Sequence, residues 1–156
     1  CLFKIKDSFF KDFSQSEVRH TNILATILLE KKTHELSLCI QLRGQINGLL
    51  CDLCADEISI TISTTTKILL QETTTKEEST DEIIYISPGQ KDLSIKHLLF
   101  ELIILSIPRK REHETNKSGK RECNKEMITL VEKYTKKEKK TSDPRWDTLK
   151  DLKIKP

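Results

Sequence analysis

Alternating apolar and polar side chains are the clearest pattern in the first half of the chain. Apolar residues occupy every second position in residues 36–42 and again in residues 58–62, the period of a β-strand with one buried face. Gly44 and Gly48 lie in the continuation of the first strand, where glycine favours a bulge or a bend. The pattern therefore predicts a β-hairpin whose tip contains Cys51–Cys54.

Other segments are predicted to extend or flank this hairpin. Residues 22–30 are apolar on both alternating faces, which favours a strand buried on both sides, with a helix as the alternative. Residues 83–86 form a short apolar run typical of a strand, and residues 3–19 suggest an edge strand or irregular structure. The polar segment 72–81 is expected to be an exposed loop.

Helical patterns dominate the second half of the chain. Residues 92–107 are apolar at most positions, with Asp92 as a candidate N-cap and Pro108 as a stop, so we expect a buried helix across the sheet. A second helix is predicted to begin at Asn124, with apolar residues at helical spacing, and a short third helix to follow Asp143.

These elements define an α+β fold. We predict a curved, mainly antiparallel sheet from about residue 22 to residue 86, covered by one buried helix; the pattern is also compatible with a partly closed barrel. Because 156 residues can bury one core but not two, we expect a single α+β domain over residues 1–123 and a basic helical tail over residues 124–156.

The net charge of +3 conceals an uneven distribution. Residues 1–108 contain 11 Lys and Arg against 15 Asp and Glu, whereas residues 109–156 contain 16 against 9. A basic tail on a mildly acidic body is typical of contact with nucleic acid, although a solvated tail that binds nothing has the same composition. The longest apolar run, Leu98–Ile107, is too short to span a bilayer, so no membrane contact is predicted.

The cysteines carry the best candidate chemistry. Cys51 and Cys54 have the spacing of two adjacent ligands in a tetrahedral zinc site, and redox pairs have the same spacing. The chain has no second Cys-x-x-Cys pair, so further ligands would have to come from Cys1, Cys39, Cys123 or a histidine. Five irregularly spaced cysteines do not form a secreted disulfide framework, which favours a reducing, cytoplasmic location.

Several short motifs occur in one order along almost the whole chain. They are Phe9-Phe10, Gly44, Cys51-Asp52-x-Cys54, Ile83-Ile84-Tyr85-Ile86-Ser87-Pro88, Ser106-Ile107-Pro108-x-Lys110-Arg111-x-His113, Cys123-Asn124 and Asp143-Pro144-Arg145-Trp146-x-x-Leu149. In this order they resemble the YceD family, the large ribosomal RNA subunit accumulation proteins. Members of the family usually have a further stretch before the Phe-Phe position, so we expect a truncated N-terminus here.

The resemblance implies a non-enzymatic factor needed for accumulation of 23S ribosomal RNA and for assembly of the large subunit. Its partners would be ribosomal RNA or the pre-50S particle, and the usual neighbours of family genes suggest ribosomal protein L32 as well. Family members commonly have a basic residue between the two cysteines, where this chain has Leu53. That difference weakens the case for an RNA contact at the turn.

Candidate site residues follow from the resemblance and from charge. Four residues recur together in many family members and imply one zinc ion that joins the basic tail to the hairpin: Cys51, Cys54, His113 and Cys123. The alternative is four reduced side chains without a metal. Charge predicts the RNA contacts as Arg109, Lys110, Arg111, Lys117, Lys120, Arg121, Lys136, Lys137, Lys139 and Lys140.

Other functions have weaker support in the residues. Trp146, Leu149 and Leu152 share one face of the last predicted helix and are expected to dock on the body of the protein or on a partner. His97 and Glu101 are one helical turn apart, as an acid/base pair would be, but no third group accompanies them. Without a nucleophile motif or a Gly-rich phosphate loop, neither an enzyme nor a small-molecule substrate is predicted. The alternative to RNA binding is a protein-only adaptor or a zinc-stabilised binding module that does not contact RNA.

Overall fold

The computed structural model describes residues 1–33, 35–75, 77–80, 82–116, 119 and 121–135. Along the chain its elements are β1 (Leu2–Lys6), a short 3₁₀ helix (Asp7–Asp12), β2 (His20–Lys32), β3 (Glu35–Leu50), β4 (Glu57–Glu72), β5 (Ile83–Ile86), α1 (Lys96–Leu105) and α2 (Lys125–Tyr134). The fold is therefore mixed α+β, as the sequence predicts.

The five strands form one sheet in the order β1-β2-β3-β4-β5. The first four strands pair antiparallel, and only β5 runs parallel to its neighbour β4. Within the described residues β1 and β5 do not pair, so the sheet stays open and is not closed into a barrel. Because β1 pairs with β2, the sheet begins earlier in the chain than the predicted start near residue 22.

The long hairpin of β3 and β4 carries the cysteine pair at its tip, as predicted. The register shifts just before the tip, where Gly48 has a φ of 74°. Gly44 serves a different purpose, since it lies opposite Ile23 of β2. A Cβ atom at Gly44 would be 2.2 Å from the Asn22 carbonyl oxygen, so the close approach of the β2 backbone requires glycine there.

One face of the sheet is buried and the other is exposed. The buried face carries alternate residues of the long strands, among them Ile23 and Ile40, which are both 1% exposed. Residues 22–30 lie in a strand, as predicted, but the prediction that both of its faces are buried is wrong. Leu24 and Leu28, on the opposite face, are 42% and 53% exposed because the described elements leave that face uncovered.

The α1 helix contributes a narrower buried stripe to the core than its sequence predicts. Leu99 and Ile103 are buried, whereas Leu105 is 79% exposed, so the helix is half-buried and the predicted fully buried helix is not observed. The predicted N-cap at Asp92 is also wrong. The helix begins four residues later, and Ile95 occupies the N-cap position without a side-chain hydrogen bond.

Aromatic contacts join α1 to the segment that follows β1. Phe13 stacks on Phe100 with ring centroids 4.0 Å apart, and it meets His97 edge to face at 5.3 Å. Lys96 forms an ion pair with Asp12 beside this cluster. His97, considered above as half of an acid/base pair, therefore packs against an aromatic ring.

The α2 helix begins where the sequence predicts. The Asn124 side chain accepts a hydrogen bond from the Glu126 N–H at 3.1 Å and caps the helix. None of its residues is buried, and its apolar residues Met127, Leu130 and Val131 are 36%, 47% and 42% exposed. The third predicted helix lies outside the described residues. No helix in the described ranges is long and apolar enough to cross a membrane.

Candidate metal centre

The hairpin tip is a tight turn stabilised by backbone hydrogen bonds. The Ala55 N–H donates to the Cys51 carbonyl oxygen, and the Cys51 N–H donates to the Asp56 carbonyl oxygen, both at 2.9 Å. Ala55 has a φ of 60°, a left-handed conformation that is uncommon for residues other than glycine. The chain therefore reverses its direction directly after Cys54, so that Cys51 and Cys54 belong to the same turn.

A second segment, which we call the strap (residues 109–116 and 121–123), contacts this turn. The Asp52 N–H donates to the Arg111 carbonyl oxygen, and the Arg111 N–H donates to the Asp52 carboxylate, both at 2.7 Å. The Arg111 guanidinium also pairs with Asp52 at 3.5 Å and with Glu17 at 2.9 Å. These contacts attach the strap to Asp52, which lies between the two cysteines in the chain.

An antiparallel bridge within the strap brings its two candidate ligands together. Thr115 pairs with Arg121, and Arg121 forms an ion pair with Glu112 at 2.7 Å. His113 and Cys123 each lie two positions away from the bridge. Because side chains alternate with a period of two, the same register places these two residues opposite each other on one face.

Four ligand atoms meet where the strap contacts the turn. They come from Cys51, Cys54, His113 and Cys123, and all lie within 4.8 Å of one another. A tetrahedral zinc ion with Zn–S bonds of about 2.3 Å places its sulfurs roughly 3.8 Å apart, so small side-chain movements would complete the site. Both turn cysteines are buried and the two strap residues are half-buried. The four residues are therefore close enough to hold one metal ion; we call them the Cys3His cluster.

The His113 ring provides an independent indication of a metal. Its Nε2 atom is buried and has no hydrogen-bond partner among the described residues. A buried polar atom without a partner costs free energy, which coordination to a cation would recover.

The thiols of the cluster differ in acidity. Burial alone would raise the pKa of Cys51, but the N–H groups of Leu53, Cys54 and His113 donate to its sulfur, and the net effect is a lowered pKa. Burial, together with the neighbouring Cys51 and Cys54, raises the pKa of Cys123 to about 11. Thiolates this close repel one another, so a divalent cation is the partner that would allow all three to ionise.

The structure selects among the ligands that the residues alone left open. Cys123 and His113 join the turn, whereas Cys1 and Cys39 lie outside the cluster. Sequence reasoning missed the role of Asp52, which binds the strap backbone. Its position between two cysteines of a predicted turn was the available signal.

The predicted RNA contacts fall into three groups. Arg109 and Lys110 are exposed at the start of the strap. Arg111 and Arg121 are engaged by the carboxylates named above, a structural role that charge alone could not reveal. The rest of the predicted contacts and docking residues lie outside the described ranges: Lys117, Lys120, Lys136, Lys137, Lys139, Lys140, Trp146, Leu149 and Leu152.

Fold and site together define a class of protein: an open-sheet α+β domain with a Cys3His cluster, able to hold a metal ion, at a hairpin tip. The family model described as "Large ribosomal RNA subunit accumulation protein YceD" matches residues 38–153, and the chain belongs to this family. The match confirms the resemblance that the motifs predicted and includes all four cluster residues. The description names accumulation of ribosomal RNA and no catalytic activity. No curated protein and no solved structure matches the chain.

The left-handed residue in the turn supplies a first prediction. Replacing Ala55 with glycine is expected to raise the free energy of unfolding by about 0.5–1 kcal/mol, because it removes the backbone strain while making the unfolded chain more flexible. Denaturant unfolding measures the change. Ala25→Gly, at a fully buried position of β2, is the matched control and should lower stability. A less stable Ala55→Gly protein would contradict the argument.

Proposed function

We propose that this chain is a non-enzymatic ribosome-biogenesis factor that supports accumulation of 23S ribosomal RNA and assembly of the large subunit. The observation that carries the proposal is the family match over residues 38–153, whose description names large-subunit RNA. A cytoplasmic location, where bacterial-type 23S precursors would be met, is part of the same proposal.

In this proposal the Cys3His cluster binds one zinc ion. Four protein ligands fill a tetrahedral shell and leave no position open to a substrate, so the ion would act as a structural clip. The clip would add to the contacts between Asp52 and Arg111. Its effect would be to hold the exposed Arg109 and Lys110 beside the hairpin tip.

The basic residues from Arg109 to Lys140 are the proposed RNA contacts at the C-terminal side. Lysine and arginine neutralise phosphates without reading sequence, so binding through them should weaken as salt concentration rises. Ribosomal protein L32 is a proposed partner through the family resemblance alone.

Sedimentation of lysate that contains the tagged full chain tests this function. At low salt the protein is expected to travel with 23S precursors and immature large subunits, and at moderate salt it should be released because its phosphate contacts are screened. The tag fused to an unrelated domain is the control. If the protein stays at the top of the gradient in both salts, in cells that are making ribosomes, the proposed function is wrong.

A protein-only adaptor is the second candidate, and the exposed apolar residues of α2 favour it. Such an adaptor would associate through apolar contacts, which salt does not weaken. Co-sedimentation that survives both moderate salt and nuclease digestion of exposed RNA would support the adaptor and argue against direct RNA binding.

A further inference from the structure

The outer face of the sheet, opposite the core, carries a group of three cations near one end, outside the basic segment that charge predicts. Lys4 and Lys6 lie on β1 and Arg43 lies on β3, and all three side chains are exposed. The register places Lys4 next to Leu24 and Leu24 next to Arg43. Since residues paired across strands share a face, the cations lie together on a surface that spans three adjacent strands.

The arrangement of these cations is extended and flat. Lys4 and Lys6 are two positions apart in one strand, about 7 Å, and Lys4 and Arg43 are two strands apart, about 10 Å. Apart from Leu2 and Leu24, amide and hydroxyl side chains surround them on the same face. In paired rows these are Asn22, Thr26, Gln41, Gln45, Ser63 and Thr65.

A polar hollow adjoins the two lysines at one edge of this face. It has a volume of about 630 Å³ and is lined by Lys4, Lys6, Asp7, Ser8, Thr21 and Asn22. Its carboxylate is already engaged: one Asp7 oxygen accepts the Thr21 N–H at 2.9 Å, and the other lies 3.1 Å from His20 Nδ1. These bonds hold the pKa of Asp7 below its ordinary value.

The far end of the same face is electrically balanced. Lys67 forms an ion pair with Glu35, and Glu30 lies close enough to interact with the same ammonium group. Lys32 lies opposite Glu35 across the strands, so two cations accompany two carboxylates there. The positive potential of the outer face is therefore concentrated around Lys4, Lys6 and Arg43, with no carboxylate paired to them in the described part of the chain.

We infer that this surface, which we call the basic sheet face (Lys4, Lys6 and Arg43), binds the phosphate backbone of ribosomal RNA; the inference rests on the proposed function. Cations flanked by amides and hydroxyls match phosphate and sugar oxygens. Among the described outward positions of β1 to β4 the one aromatic ring is the imidazole of His20, at the end of β2, and Asp7 engages it. With so little surface for stacking on bases, the face would read backbone shape and charge rather than sequence.

Charge favours this face over the strap as the main RNA contact among the described residues. Arg111 and Arg121 in the strap are partly neutralised by Glu17, Asp52 and Glu112. Within the described ranges the cations of the basic sheet face have no such partners. A protein partner is disfavoured for the same surface because it would have to bury three separate charges.

The test compares two full-length triple variants in binding to overlapping fragments of transcribed 23S ribosomal RNA at several salt concentrations. One carries Lys4→Gln, Lys6→Gln and Arg43→Gln. The other removes the same charge elsewhere on the exposed surface, through Lys11→Gln, Lys31→Gln and Lys91→Gln. The first variant is expected to bind at least about tenfold more weakly, with a salt slope lower by about 2, whereas the second should bind nearly as well as the wild type.

The possible outcomes separate the two proposals. If the wild type binds no fragment, the proposed function fails and this inference fails with it. If the wild type binds but the two variants are equally affected, the assignment of RNA binding to the basic sheet face is wrong, and the proposed function is not contradicted. Ultraviolet cross-linking of the wild-type protein to RNA provides a check that does not depend on the folding of a variant: cross-linked peptides from β1 and β3 are expected, and their absence would overturn the inference.

Discussion

Replacing Cys51 with serine is expected to abolish stoichiometric zinc binding and to lower the free energy of unfolding by about 4 kcal/mol or more. A ligand stabilises a protein by about 4 kcal/mol when the free ligand concentration is about a thousand times its Kd, and this stabilisation would be lost with the zinc. Cys51 is 3% exposed and its sulfur receives three backbone N–H groups, so serine fits the space but coordinates zinc poorly. Elemental analysis of protein purified without chelator, combined with denaturant unfolding, measures both effects.

Two further variants make this result specific. Cys39→Ser changes a cysteine outside the cluster and should leave zinc content and stability close to those of the wild type. His113→Ala keeps the backbone N–H that donates to Cys51 but removes the ring, so it should also lose zinc. If wild-type protein holds much less than one equivalent of zinc, or if Cys51→Ser retains a full equivalent, the Cys3His cluster is not a zinc site.

The strands could be predicted from the sequence because their evidence is local. The alternation around Ile40 and Ile62 identifies two strands, and the cysteine spacing identifies the turn between them. The burial of β2 could not be predicted in the same way. Leu24 and Leu28 are apolar but face solvent, and nothing within residues 22–30 indicates whether another element covers that side of the sheet.

The helices show the same limit of local reasoning. Asp92 has the chemistry of an N-cap, yet the helix starts after Ile95, and its buried residues Leu99 and Ile103 belong to the core cluster. Tertiary contacts therefore override the capping preference. At α2 the predicted start at Asn124 agrees with the structure, and in the described part of the chain no residue of that helix is buried by a competing contact.

The residues of the candidate site could be predicted from the sequence, but the contacts that bring them together could not. The residues alone left Cys1, Cys39, Cys123 and the four histidines open as further ligands, and the family resemblance selects His113 and Cys123. What brings Cys123 to the turn is the contact of Asp52 with Arg111, which joins residues 59 positions apart in the chain. A charge pattern cannot distinguish such a pairing from a solvated arginine, which is why charge alone predicts an RNA contact for Arg111.

Gly44→Ala is expected to destabilise the protein by about 3–5 kcal/mol, a large effect for the addition of one methyl group. The new Cβ atom would lie 2.2 Å from the Asn22 carbonyl oxygen and 2.6 Å from the Ile23 Cα atom. Both atoms belong to the backbone of β2, which is held by pairing to β1 on one side and to β3 on the other. Relief of the clash would therefore require breaking the ladder at the centre of the sheet.

Two other glycines separate this clash from the general cost of replacing glycine. Gly89 has a φ of 76° with no atom within 4 Å of an added Cβ, so Gly89→Ala should cost only about 1 kcal/mol of backbone strain. Gly48 has a φ of 74° with the nearest atom, His20 Cδ2, at 3.5 Å, and its substitution should cost a similar amount. Denaturant midpoints of the three variants give the ranking directly. If Gly44→Ala is no less stable than Gly89→Ala, then β2 and β3 do not approach as closely as described, and the register that places Gly44 opposite Ile23 is incorrect.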